Sequence, residues 1–83
     1  MDFYDTLAEE IWADHSFTYG MRAMGEHAGA NRLAEVIRKL RSLGIRLPQI
    51  LALIGPILQL LTTGIGGWPA VLAAILALFG KTA

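Results

Sequence analysis

No cysteine occurs in the 83 residues, so no disulfide holds this small chain together. Proline is scarce: Pro48, Pro56 and Pro69 are the only three, and all lie in the second half. Aromatic residues make up 8%, and none is interleaved with the basic residues in the way base stacking requires. Charged residues are 17% of the chain, against about 25% in ordinary domains. Seven basic and seven acidic side chains cancel, which excludes a nucleic-acid binder that works by net charge. A hydrophobic content of 54% excludes a disordered chain. The length allows one domain at most and excludes a multi-domain enzyme.

The charges that are present are sharply partitioned. Thirteen of the fourteen lie in residues 1–46, and from Leu47 to Gly80 there are 34 residues with none. Of those 34, 22 are apolar, five are Gly and three are Pro. Within the first part, Asp2, Asp5, Glu9, Glu10 and Asp14 come with no base among them, while Arg32, Arg38, Lys39, Arg41 and Arg46 face only Glu35. The order along the chain is acidic, mixed, basic, apolar. We therefore divide it into an amphipathic region 1–46 and an apolar region 47–83. An acidic start is unlike the basic start of a secretory signal, so no cleaved leader is expected.

Hydrophobic spacing predicts an all-α protein. Phe3, Leu7 and Ile11 recur at helical intervals over 2–15, beside Tyr4, Ala8 and Trp12. The acids at its start suit a helix N-terminus. Gly20, Gly25 and Gly29 weaken the following stretch, and a break is expected near Gly29–Asn31. A second clear helix is predicted over 32–43, with Asn31 as N-cap, an apolar face of Leu33, Val36, Ile37, Leu40 and Leu43, and Gly44 just past its end. Pro48 fits the first turn of an apolar helix running to Thr63, which Gly55 and Pro56 should kink. Gly64, Gly66 and Gly67 mark a turn, and Trp68 to Phe79 forms the last helix.

The apolar half thus reads as a helical hairpin suited to a membrane. Leu47–Thr63 would be about 25 Å of helix and Trp68–Gly80 about 20 Å, both short of the ~30 Å hydrocarbon layer. The block is apolar all round, and the basic helix sits directly before it, where Arg32, Arg38, Lys39, Arg41 and Arg46 would meet anionic headgroups. The same cluster places the N-terminal half on the cytoplasmic side. Trp12 and Trp68 are the expected interface anchors, Trp68 at the far headgroup layer. A short apolar hairpin with both ends on one side resembles the layout of two-span phage holins from Leu47 onward, and it is similar to the hydrophobic hairpin of pore-forming bacteriocins. That resemblance implies pore formation. The single Lys81 after the hairpin and the long N-terminal half depart from the holin layout.

Residues able to do chemistry are few: Glu9, Glu10, Asp14, His15, Glu26 and His27. A bundle metal site uses Glu and His three apart on one face, and neither Glu10 with His15 nor Glu26 with His27 has that spacing. Asp14, His15 and Ser16 are consecutive and do not converge as a triad. Gly64-x-Gly66-Gly67 lacks the Lys-Ser/Thr of a phosphate loop. No catalytic residue, metal or cofactor is expected. The expectation is a non-enzymatic structural or assembly subunit of a membrane complex or virion. Its partners would be a lipid bilayer and other protein subunits, copies of itself included, with no specific nucleic acid. A pore-forming protein and a soluble self-assembling filament or shell subunit are the alternatives.

Overall fold

The computed structural model describes residues 2–15, 26–63 and 67–80. Every element among them is an α-helix: α1 (Phe3–His15), α2 (Glu26–Ser42), α3 (Leu47–Ala52), α4 (Ile54–Thr63) and α5 (Gly67–Gly80). The radius of gyration, 11.7 Å, is that of a compact chain of this length, about 12 Å. One core joins the charged and the uncharged halves, since residues of all five helices contribute to it.

Helix α1 starts where its sequence can cap it. The Asp5 N–H donates to Asp2 Oδ1 at 2.9 Å, and the Asp2 N–H donates back to Asp5 Oδ2 at 3.3 Å. This reciprocal cap satisfies two of the four backbone donors that open every helix. The buried stripe of α1 is Ala8, Ile11 and Trp12, with Tyr4 and Leu7 packed at its margin. Phe3, expected on that stripe, is instead 61% exposed. The helix is rotated so that Tyr4, not Phe3, leads the buried side.

Helix α2 is the centre of the fold and touches α1, α3 and α4. It begins at Glu26 and runs unbroken through Gly29–Asn31, so the expected break there does not exist and Asn31 is not an N-cap. Packing explains the glycine. Gly29 lies against the indole of Trp12, and a Cβ at this position would clash with the six-membered ring. The helix accepts a Gly penalty of about 1 kcal/mol because the tryptophan needs the space. The end of α2 matches the pattern 32–43 closely. Gly44 has φ +89, the Ile45 N–H donates to the Leu40 carbonyl at 3.1 Å, and the Gly44 N–H donates to that of Arg41 at 3.0 Å. This is the Schellman arrangement, in which a left-handed glycine closes the last turn. Leu43 falls on the corner, outside the apolar face assigned to it.

The Arg46 N–H donates to Gln49 Oε1 at 3.2 Å at the start of α3, and Pro48 occupies its first turn. The expected interruption at Gly55-Pro56 appears one turn upstream, at Leu53 (φ −110, ψ 21), where α3 ends and α4 begins. Pro56 has no N–H for the Ala52 carbonyl, and its ring crowds that carbonyl, so the helix yields there. Ile50, Ile57, Leu58 and Leu61 then reach the core from α3 and α4. Helix α5 supplies Val71, Ile75 and Phe79, spaced four apart. Gly67 opens α5 with φ +82, one residue before the expected start. Gly64 and Gly66 lie outside the described residues. No described helix is long and apolar enough to cross a membrane, so the hairpin is not built from spanning helices.

Candidate functional site

The expected basic cluster is divided by the fold into three environments. Arg38 faces α1 and closes a latch: its Nη2 lies 2.9 Å from Asp2 Oδ2 and 2.8 Å from Asp5 Oδ1. The Asp5 N–H and the Arg38 guanidinium together hold the Asp2 carboxyl below its ordinary 3.8. The same two aspartates raise Arg38. Arg32 stands over the Trp68 ring at 4.5 Å from its centroid and approaches Glu35 Oε2 at 4.0 Å. This pair ties α2 to the start of α5 by a cation–π contact. Lys39, Arg41 and Arg46 remain exposed around the α2–α3 corner, where an Arg41 Nη1–H donates to the Ile45 carbonyl at 3.2 Å.

The two tryptophans are likewise engaged inside the chain. Trp12 is only 2% exposed and belongs to the core. Trp68 is half-buried beneath Arg32. What the sequence did not single out is the set of large apolar side chains left uncovered. Phe3, Leu43 and Leu51 are 61%, 55% and 42% exposed. Leu43 and Leu51 flank the corner that carries Lys39, Arg41 and Arg46. Phe3 sits at the same end of the α1/α2 pair, because Asp2 and Asp5 beside it are held by Arg38.

The outward side of α3–α5 is uncharged. Pro48, Gln49, Leu51, Ala52, Pro56, Gln59, Pro69, Ala70, Ala73 and Ala77 are exposed there, and Leu60, Leu72, Leu76 and Leu78 are half-covered. An open groove of 320 Å³ lined by Pro56, Gln59, Leu60, Thr63 and Leu78 runs between α4 and α5.

Glu9, Glu10 and Asp14 are exposed on α1, and His15 Nδ1 lies 2.9 Å from the Ile11 carbonyl. Ser16 lies outside the described residues, as do the side chains of Glu26 and His27. No group of three potential metal ligands occurs among the described residues. Compared with known protein families, with curated proteins and with solved structures, the chain matches none.

Proposed function

We propose that the chain is a small, non-enzymatic, membrane-associated helical protein, a structural subunit that helps assemble a larger membrane complex or virion. The observation that supports this reading is the uncharged outward side of α3–α5. A charge-free surface of Ala, Pro and half-covered Leu is costly to leave in water and suits a lipid or protein neighbour. With helices of 10 and 14 residues, α4 and α5 fit a protein seated in the interfacial layer better than one that crosses it. The charged α1 and α2 then lie toward the cytoplasmic or inner side.

Extraction tests the proposal. The chain is expected to remain with membranes through a carbonate wash and to leave them in detergent. Release into buffer as a large uniform particle would overturn the membrane reading and make α3–α5 a contact between protein subunits.

One observation favours pore formation as a second reading. Helix α5 packs chiefly on α4, whereas α1 and α2 hold each other. Helix α5, rather than α4, which also rests on α2, is therefore the element most easily turned outward into lipid. Dye release from vesicles separates the two readings, since an assembly subunit binds them without leakage.

A further inference from the structure

We propose that the α2–α3 corner is a docking surface for an anionic membrane, in which Lys39, Arg41 and Arg46 meet lipid phosphates while Leu43 and Leu51 enter the headgroup layer. The proposal rests on the membrane-associated reading and names where contact is made and with what lipid chemistry.

Three observations converge on this corner. First, among the described residues only Phe3, Leu43 and Leu51 are large hydrophobics left exposed. Leu43 is on the corner, Leu51 in the short α3 that follows it, and Phe3 beside the aspartates that Arg38 holds. Second, the cations beside them are not cancelled locally. Asp2 and Asp5 are the acids of this end, and Arg38 holds both, so four bases against two acids leave it cationic. Glu35, 4.0 Å from Arg32 and one turn before Lys39, adds one acid as Arg32 adds one base, so five bases against three acids still leave the balance cationic. Glu9, Glu10 and Asp14 lie about 10–18 Å further along α1, at or beyond the screening length of ~8–10 Å in physiological salt. Third, the corner is held in shape. The Schellman closure at Gly44 and the Arg41 bond to the Ile45 carbonyl fix the backbone on which Leu43 stands.

Cations near the end of a helix also complement its dipole, which accounts for Lys39 and Arg41 without a ligand. That leaves the uncovered leucines and the position of Arg46, ahead of α3, without a role. A bilayer surface accounts for all five. Apolar tips enter the boundary layer, and bases gather at anionic phosphates. Each cation near an anionic surface adds about fivefold to partitioning, so three together give about a hundredfold.

Co-sedimentation of the full chain with vesicles tests this. The probes are phosphatidylcholine alone and phosphatidylcholine mixed with phosphatidylserine, at low and high salt. The expected result is weak binding to the neutral vesicles and roughly hundredfold tighter binding to the anionic ones, lost at high salt. Lys39→Glu, Arg41→Glu and Arg46→Glu together should abolish that advantage, and Leu43→Ser with Leu51→Ser should weaken binding to both vesicles. If the triple variant does not fold by circular dichroism, Lys39→Gln with Arg46→Gln makes the same comparison. Equal binding to both vesicles, unmoved by these changes, would overturn the corner while leaving a membrane protein docked elsewhere. Binding to neither vesicle would overturn the membrane reading as well. Binding to polyglutamate but to no vesicle would assign the corner to an acidic protein.

Discussion

Trp12 and Gly29 are fitted closely to each other, and each was only half legible in the sequence. Gly29 stood out as a helix-weakening residue, and by propensity alone it marks a break. What propensity could not contain is that the indole of a different helix occupies the place of its Cβ. Tertiary packing overrides a local preference of about 1 kcal/mol when a large side chain is buried in return. This makes Gly29→Ala a sharp test. In an isolated helix the change would stabilise by about 1 kcal/mol. Here the added methyl must displace the ring, and overpacking of this kind typically costs about 1–3 kcal/mol. Urea denaturation should therefore show a net loss. Combined with Trp12→Phe, the alanine should cost much less than it does alone, because the smaller ring leaves room. Additive effects of the two changes would mean that the ring does not press on this position.

Among the helices, the sequence reading succeeded where one element carries its own signals. Pro48, Gly44 and the apolar spacing of Leu33, Ile37 and Leu40 mark helix starts, stops and faces without reference to neighbours. It failed where a neighbour decides. Phe3 and Tyr4 are equally apolar candidates, and only the docking of α1 on α2 selects Tyr4. The basic residues of α2 looked alike along the chain, yet α1 takes Arg38 and α5 takes Arg32. The latch between α1 and α2 predicts a pH dependence. Asp2 titrates below its ordinary 3.8 in the folded chain, so its contribution is complete above that value. It declines as pH falls below it, through the lowered folded value. Amide protection over Asp5 to Ala8, the exchange rate taken relative to that of an unstructured chain at the same pH, should therefore be constant above pH ~5 and fall as the pH drops below 3.8. In Arg38→Ala the Asp2 carboxyl should rise only part of the way to 3.8, because the Asp5 N–H, the larger cause, stays in place. A carboxyl that already titrates at 3.8 in the native chain by nuclear magnetic resonance would mean the latch is open in solution.

At the scale of the molecule, a hydrophobic count cannot separate the apolar residues of 47–80 that face inward from those that face outward. About one in three of that block reaches the common core, as Ile50, Ile57, Leu58, Leu61, Val71, Ile75 and Phe79 do. Leu47, Leu53, Ile54, Leu60, Trp68, Leu72, Leu76 and Leu78 pack part-buried against that core. The apolar side chains that remain outward, Leu51 apart, are mostly Ala, whose replacement separates folding from association. Ala73 and Ala77 are exposed one turn apart on α5 and lie on no buried contact. Replacing both by Lys puts like charges at i and i+4, a repulsion of about 0.2–0.5 kcal/mol, and lowers helix propensity by a few tenths more. Stability in buffer or mild detergent should accordingly change by less than about 1 kcal/mol. Retention on membranes should fall steeply, since each Lys pressed toward hydrocarbon costs up to about 3 kcal/mol. Glu9→Lys with Glu10→Lys is the control. It changes the net charge by about +4, twice the +2 of the alanine pair, on the charged side of α1 away from the proposed contact, and should nevertheless leave retention intact. If Ala73→Lys/Ala77→Lys stays in the carbonate-washed pellet as firmly as the native chain, the outward side of α5 is not what the membrane holds, and another apolar face of α3–α5 would have to do so, because the salt-sensitive α2–α3 corner does not by itself survive such a wash.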